Sequence, residues 1–450
     1  MRPTLGVSFP FKMPHRLSPP KSIKEICSTL ERAGHEAWCV GGAVRDALLG
    51  IPTLDWDIAT SAHPEQVQKL FRRTIPVGIQ FGTVGVLDRD GVMHEVTTFR
   101  HDVETDGRHA VVRYGASLEE DLARRDFTMN AIAVHAERLE VRDPFDGRGD
   151  LERRIVRCVG EAGERMREDR LRALRALRFA GRFGFAIAPA TWDAITESAP
   201  HLGRLSMERV KQELEKVMEQ IAHPSGTLER YREAGVFNTL IPALADAPRA
   251  RFAAIDHLAR PGLKGRPDRR ALRLAALFVE PGVAPAHDLE LTLKALKYSN
   301  VEVRTTVVLA TAAAELSPTF ATSDPEPADA VLRRFVARIG RLNVAGTARL
   351  LWARTTAELG PHATEDQRRT ARLAGTRLYR RTARIAWHDP LTIGDLAVDG
   401  DDLRAAGVPP GRDMGHTLQR LLELVLDDPA KNARETLLAD IRATLAGLPR

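Results

Sequence analysis

Asp55 and Asp57 flank one tryptophan in the run LDWDIAT, Leu54 to Thr60. The alternation predicts a strand, and on a strand residues two apart share a face. At about 3.3 Å of rise per residue, their Cβ atoms would lie no more than roughly 7 Å apart. Two carboxylates so placed suit one or two divalent cations, such as those that stabilise both oxygens of an in-line phosphoryl transfer. By itself Asp-x-Asp is common, and two incidental acids on an exposed edge is the bland reading. Trp56 between them would point the other way, into the core.

The upstream residues sharpen the pair. EAWCVGG reads as a short strand running into glycines, and AVRDALLG as a helix. A strand, Gly41-Gly42 and a helix start can offer backbone N–H groups to a phosphate. Arg45, in the first helical turn, would reach the same anion. Taken alone, the two glycines mark only a tight turn. Glu95, in HEVTTFR on a later expected strand, is the candidate third acid.

REDRLRALRALRF, Arg167 to Phe179, carries different chemistry. Asp169 and Arg172 stand three apart on an expected helix, and Arg175 and Arg178 continue the interval. Without further context this is a salt-bridged exposed helix. Adenine and cytosine share a pairing edge, an exocyclic amine beside an unprotonated ring nitrogen. A carboxylate accepts from the amine and an arginine donates to the nitrogen. Guanine and uracil would leave buried groups unpaired and are rejected. Asp169 with Arg172 would then select ATP and CTP, with the further arginines on the triphosphate.

The elements that must position these groups are legible in outline. KSIKEICSTLERAG predicts a helix with Ser22 as N-cap and Gly34 as its stop. HPEQVQKLF reads as a helix opened by His63 and Pro64. GTVGVLDRDGVMHEVTTFR predicts a hairpin about DRDG, and MNAIAVHAERLEVRDPF a pair of short strands. Strands are expected to cease after about 150. GERMREDRLRALRALRFAGRFGF reads as one long helix ending near Gly181, and the later segments show helical periodicity without a fixed repeat. The expected fold class is α+β. The expected organisation is a loose arm over 1–20, an α+β head from 21 to about 150, and a long helical body after it. SPTFATSDPEPAD reads as a linker or exposed loop.

The 450 residues are 43% apolar and 28% charged, ordinary for a soluble protein. No run of about 18 apolar residues is present, so no membrane span is expected. The proline-bearing first twenty residues lack the apolar core of a signal peptide. Cys27, Cys39 and Cys158, odd in number and widely spaced, point to a reducing compartment, the cytoplasm, without a disulfide or zinc framework. The net charge of +6 is concentrated. Seven arginines face three acids over Glu164–Arg182, and seven face two over Glu365–Arg384. Such stripes suit a polyanion, or else are solvated helix faces.

VGGAVRDALLG, DWDIAT, RRDFTMNAIA, DPFDGRGDL, REDRLRALRALRFAGRFGF and LSMERVKQELEKVM occur in that order over about residues 36–218. As a set they resemble the bacterial-type CCA-adding tRNA nucleotidyltransferase and poly(A) polymerase family. GDLAVDGDDLRAAGVPPG, Gly394 to Gly411, is similar to a tail segment of these enzymes. The resemblance implies a nucleotidyltransferase catalytic head over 21–155, followed by a helical neck over 156–235, a body over 236–340 and a tail over 341–450. It implies Asp55 and Asp57 as magnesium (Mg2+) ligands, with Glu95 a possible base. Gly41, Gly42 and Arg45 would contact the triphosphate. Arg125 would join Asp169 and Arg172 around the base, and Arg175 and Arg178 would contact phosphates or support the pocket. Asp126 and Asn130 would hold the sugar or the structure, and Glu208 and Arg209 the neck. The implied reaction is attack of a tRNA 3′-hydroxyl on the α-phosphate of CTP or ATP, with release of pyrophosphate and no template. The basic helical body and tail would bind the tRNA.

Two stretches depart from the family pattern. Where the family carries a flexible loop rich in Arg and Pro, a loop is expected here too, but it reads HDVETDGRHAVVRYGAS, without an Arg-Arg-Pro run. Val279-Glu280 stands where some relatives carry a His-Asp phosphohydrolase pair, so that activity is not expected. Poly(A) synthesis and CC-only or A-only addition remain alternatives within the fold. An inactive RNA-binding protein is the alternative outside it, against which the intact Asp55, Asp57, Asp169 and Arg172 stand. Oligomeric state is not legible.

Overall fold

A computed structural model of the chain describes residues 17–53, 55–105, 110–259, 267–279, 286–316 and 327–446. Most of the N-terminal arm, Leu54, Glu280 and most of the 317–329 segment lie outside them. The chain forms two compact units, Met1–Val217 with Thr227–Ala245, and Met218–Gly226 with Asp246–Arg450.

The first unit opens with helix α1 (Lys21–Arg32), strand β1 (Ala37–Val40), α2 (Gly42–Leu48) and β2 (Asp57–Thr60). Helix α3 (Pro64–Leu70) and strands β3 (Thr74–Gly78), β4 (Thr83–Leu87) and β5 (Met93–Thr98) follow. Next come β6 (Arg100–Thr105), β7 (Ala110–Tyr114), α4 (Leu118–Ala123), β8 (Ala133–Val134), β9 (Val141–Arg142) and α5 (Gly147–Arg153). Then come β10 (Ile155–Val156), α6 (Ala162–Glu168), α7 (Leu171–Phe183), β11 (Ala186–Ile187), α8 (Pro189–Ser198) and α9 (Met207–Gln220). Seven strands form one mixed sheet in the order β3-β4-β5-β2-β1-β8-β9. Only the β2–β5 pair among them is parallel. The α+β class expected from the sequence is the one observed.

The expected hairpin is β4–β5, and its turn has a clear local cause. One carboxylate oxygen of Asp88 accepts from the backbone N–H of Asp90 at 3.0 Å and of Val92 at 2.8 Å. The other meets His94 Nε2 at 3.0 Å. Gly91 supplies the left-handed conformation the turn requires, φ +81°.

Four expectations are corrected. Helix α1 starts two residues earlier than a Ser22 cap would place it, after Pro20, so Ser22 lies inside the first turn and caps nothing. The HDVETDGRHAVVRYGAS stretch is largely the antiparallel β6–β7 hairpin; its residues 106–109 lie outside the described residues. Strands do not cease at 150, because β10 and β11 pair in parallel. The long arginine helix is two helices. Asp169 adopts an extended backbone, φ −146°, and its carboxylate accepts from the Leu171 N–H at 3.1 Å. An aspartate that captures a nearby backbone donor competes with helix continuation and starts a new helix instead. Helix α7 then passes through Gly181 and stops at Gly184, φ +68°.

Two layers bury the sheet. Strand alternation turns Cys39 and Ile58, a register pair, to the same face. Cys27 of α1 lies against Cys39, and all three cysteines are free and buried. Val40 and Asp57, the next pair, face the opposite way. There Val40, Trp38, Ala59 and Phe99 pack with Leu118 and Leu122.

The DPFDGRGDL stretch clamps that second layer. The Asp143 carboxylate accepts from the N–H groups of Gly147 and Arg148 at 2.7 and 2.9 Å. Buried Asp150 accepts from the Thr128 hydroxyl at 2.8 Å and from Arg153 and Arg157 at 2.9 and 3.0 Å. Gly147 touches the turn so closely that a Cβ would stand 2.2 Å from the Thr128 carbonyl oxygen.

The second unit is built of helices and their connections, with no strand among its described residues. One apolar cluster joins Leu332, Phe335 and Val336 with Ile385, Leu391 and Leu426. Another joins Leu403, Val408, Leu421, Val425, Leu437 and Ile441. Buried Arg273 donates to the carbonyls of Met218, Ile221, Ala222 and Leu258 at 2.6 to 3.1 Å.

Gly147→Ala should force the 128–130 turn apart. The expected cost is about 1 to 3 kcal/mol, the range for overpacking a filled interior. Urea denaturation of both proteins measures it, and an unchanged midpoint would refute the close approach.

Candidate active site

Strand β1 ends at Val40 because Gly41 turns the chain, with φ +75°. Its last pair is Val40 with Asp57, so β2 has no partner in β1 beyond that point. This is why the strand starts at Asp57 and not at Asp55. Asp55 precedes the strand and is exposed, Trp56 is buried as expected, and Asp57 is partly buried at the strand's first position. The two acids are therefore neighbours at a strand end, not alternate residues of one strand.

Glu95 stands one residue before Val96, and Val96 pairs with Ile58, so Glu95 of β5 lies beside Asp57. The three carboxylates repel. Burial, then Asp55, then Glu95 push the Asp57 carboxyl up to about 6 from an ordinary 3.8. Arg125 alone among the causes acts in the other direction. Gly41 roofs this contact. A Cβ there would lie 3.2 Å from Arg125 Nη1 and 3.3 Å from Asp57 Oδ2. Arg125 is held by Asp121, with Nη2 to Oδ2 at 3.1 Å. Its buried Nε has no hydrogen-bond partner among the described residues. Gly41, Asp55, Asp57, Glu95 and Arg125 are thus brought together.

Hard oxygen donors carrying excess negative charge fit a hard divalent cation. Among the described residues no three His, Cys, Asp or Glu side chains close into a ligand cage. A magnesium site that completes its shell with water and substrate phosphates needs only one or two carboxylates.

Arg45 is placed differently from the expectation of a free anion contact. It is buried, donating through Nε to Asp46 at 2.8 Å and through Nη1 to Asn130 at 2.6 Å. Its guanidinium lies 5.0 and 4.9 Å from the ring centres of Phe179 and Phe183. Burial lowers its basicity, which Asp46 partly restores. Gly42 lies over this guanidinium, with a hypothetical Cβ 3.4 Å from Arg45 Nη2.

The arginine stripe of α7 is likewise engaged. Arg172 donates to Glu168 at 2.6 Å, to the Arg165 carbonyl at 2.9 Å and to the Arg124 carbonyl at 3.1 Å. Arg175 donates to Asp126 at 2.8 Å. Burial opposes ionisation of Asp126, yet Arg175 and Asn130 hold its carboxyl below the usual range. Arg178 pairs with Glu213 of α9 at 2.6 Å, both buried, and lies 4.2 Å from the Phe179 ring centre. Arg178 thus supports the α7–α9 packing and is not exposed to a phosphate. Arg182 meets Asp46 at 2.9 Å.

Asp169 and Arg172 do not pair with each other by side chain. Asp169 accepts from Arg209 of α9 at 2.7 Å. Each therefore carries its own clamp, Arg209 and Glu168, and the edges left over can meet a further group. A carboxylate has about four acceptor sites, and contacts at 3.1 and 2.7 Å use two of them. Sequence reasoning missed Glu168 and Asp121 as clamps. The signal was present, because both stand four residues before their arginines, Arg172 and Arg125.

In metal-free solution the raised Asp57 carboxyl binds its proton more tightly folded than unfolded. Stability should therefore fall as pH rises from about 4 to about 6. Asp57→Asn should lack that fall and be more stable by roughly 2 to 3 kcal/mol at pH 7. Thermal unfolding in chelator across that range tests it; a less stable variant at pH 7 would refute it.

Residues 37–157 match the family described as the poly A polymerase head domain. Residues 184–247 match a probable RNA- and SrmB-binding site of polymerase A. The CCA-adding enzyme of Geobacillus stearothermophilus is 38% identical over 419 residues, 92% of this chain and 94% of the relative. That of Geobacillus kaustophilus is 37% identical over 421 residues, with the same coverage. Among solved structures, the Bacillus stearothermophilus CCA-adding enzyme in complex with CTP superimposes with a TM-score of 0.70. It is 33% identical, covering 95% of this chain and 97% of that one. The Thermotoga maritima CCA-adding enzyme complexed with tRNA, at 21% identity and a TM-score of 0.61, shares the fold over 94% of each chain.

Proposed function

The chain belongs to the family of CCA-adding enzymes, and on that premise we infer that it adds CCA to the 3′ end of tRNA by nucleotidyl transfer. CTP and ATP are the donors and tRNA the acceptor. The 3′-hydroxyl oxygen bonds to the α-phosphorus, the bond to the β-phosphate oxygen breaks, and pyrophosphate leaves. The observation that carries the site assignment is the carboxylate group of Asp55, Asp57 and Glu95 beside the Gly41 turn.

Asp55 and Asp57 would hold Mg2+, which would supply Lewis-acid chemistry, making the attacking hydroxyl more acidic and offsetting the charge of the triphosphate. Asp57, already at the strand end, contributes a carboxylate whose charge is otherwise opposed only by Arg125. Glu95, its neighbour on β5, is placed to take a proton or complete the ligand set. Gly41 and Gly42 leave backbone room for phosphate oxygens, and Arg125 reaches the nucleotide from the same side. Arg45, Arg175 and Arg178 act through Asn130, Asp126 and Glu213, fixing the turn and helix that carry the contact groups.

Asp169 accepts the exocyclic amine of cytosine or adenine, and Arg172 donates to the ring nitrogen. The clamps from Arg209 and Glu168 support this role, because a fixed donor–acceptor pair rejects a base of the opposite pattern. The head, neck, body and tail divisions at 21–155, 156–235, 236–340 and 341–450 remain our assignment of labour along the chain.

In the helical unit a groove of about 540 Å3 is lined by Trp352, Tyr379, Arg349 and Arg372. Aromatic faces beside arginines suit unpaired RNA bases and their phosphates, which supports tRNA binding by the body and tail. No helix among the described residues is long and apolar enough to cross a membrane. A cytoplasmic site of action fits tRNA as the acceptor.

Four acceptors test the reading: tRNA lacking its 3′ end, tRNA ending in C, tRNA ending in CC, and an unrelated RNA. CCA addition predicts completion of the first three and no extension of the fourth. Long A tails on any of them would favour the poly(A) alternative, and a stop after CC the CC-only one. Asp55→Ala should lower transfer about a hundredfold or more, with tRNA affinity nearly unchanged; full activity would remove its ligand role. Paired replacement of Asp169 and Arg172 by Ala should relax selection against GTP and UTP, and unchanged selectivity would refute the base contact.

A further inference from the structure

A cleft of about 630 Å3 lies between α1, the chain entering β3, and the β4–β5 turn. It contains Val86, the register partner of His94. His94 and Glu95 are adjacent on a strand and point to opposite faces. The cleft is therefore on the face of the sheet away from the candidate catalytic carboxylates, and nothing in the transfer reaction uses it.

Six cations line it, Lys21, Lys24, Arg32, Arg72, Arg73 and Arg89, against the acids Glu25, Asp88 and Glu137. The acids do not neutralise the set. Asp88 is committed to His94 and to two backbone N–H groups of its own turn. Glu25 is contacted by Arg89 at 3.4 Å and Lys21 at 3.9 Å, both at exposed positions. The side chains of Lys24 and Arg72 have no ion-pair or hydrogen-bond partner among the described residues, the Lys24 backbone N–H alone donating to the Pro20 carbonyl.

The placement of the lysines runs against helix electrostatics. Helix α1 has twelve residues, Pro20 before it offers no side-chain cap, and its first turn holds no acid. A helix N-terminus carries partial positive charge and is stabilised by acids, not lysines. Here Lys21 and Lys24 add to that charge, and Arg72, Arg73 and Arg89 add to it from two other segments. Three elements thus converge positive potential on one concavity, an arrangement that favours a bound polyanion. Phe71 is the one aromatic side chain in the lining. Charge without an array of stacking faces suits a phosphodiester backbone read independently of sequence.

We propose that this cleft binds the phosphate backbone of RNA, as a second contact on the tRNA whose 3′ end is extended on the other face of the sheet. The inference rests on the nucleotidyltransferase reading for the identity of the RNA, but not for the existence of the site.

The test is equilibrium binding of a labelled tRNA transcript lacking CCA to the full chain, by fluorescence anisotropy over a range of KCl concentrations. Each phosphate contact contributes about 0.7 to 0.9 to the slope of log affinity against log salt. Lys24→Gln with Arg72→Gln should reduce the slope by about 1.5 and weaken binding, with transfer at saturating tRNA unchanged. Arg72→Gln alone, at an exposed position, should reduce it by about 0.8 and guards against misfolding of the double variant. An affinity and slope equal to wild type in both variants overturns the proposal. Failure of the unsubstituted protein to extend the transcript while still binding it with the full slope would count against the function and not the cleft.

Discussion

A partly buried carboxylate with too little positive charge around it is the constraint on which this head depends. Asp57 lies at a strand end, against Asp55 and Glu95, with Arg125 as its counterweight. Such a group costs stability in the metal-free protein. It persists because the surrounding geometry leaves it nowhere else to go. Its register with Val40 is fixed by four β1–β2 pairs, and its neighbour Glu95 is fixed by the β2–β5 pairing. Excess negative charge on hard oxygen donors of this kind is what a divalent cation would offset.

The contrast with the arginines is instructive. Arg45, Arg172, Arg175 and Arg178 were expected at the nucleotide, yet each of them, and Arg182 as well, is matched to an acid within 3 Å. These pairs are partly or fully buried, where breaking one leaves an uncompensated charge. Together they lock α7 onto the rest of the unit. Asp150 holds Thr128, Asn130 in the same turn holds Arg45, and Asp46 joins Arg45 to Arg182. Asp126 joins Asn130 to Arg175. The positive charges serve mainly as rigid scaffolding, and Asp169 and Arg172 inherit their fixed positions from it.

Much of this was legible in the amino-acid pattern. Strand alternation and the DRDG turn gave the β4–β5 hairpin, and the Gly41-Gly42 break gave the end of β1, because both are set by neighbours in sequence. The position of Glu95 beside Asp57 needed strand pairing, which periodicity hints at but does not fix. The helix break at Asp169 escaped notice because helical periodicity runs through it. Only the capture of the Leu171 N–H and the pull of Arg209, forty residues away, reveal it. Arg45 was misplaced for a related reason. A cation near glycines suggests an anion, but two aromatic rings and Asn130, 85 residues on, claim it first. Long-range partners of this kind are invisible to local pattern.

The ionisation of Asp57 itself is the most direct observable. Carboxyl-selective 13C NMR titration, with Asp57→Asn to assign the signal, reads it in the chelated protein and again with magnesium and CTP. A midpoint near 6 without metal, falling well below the ordinary range when metal is present, is expected. A midpoint near 3.8 in the chelated protein, unmoved by magnesium, would contradict the burial of an uncompensated carboxylate at the centre of the site.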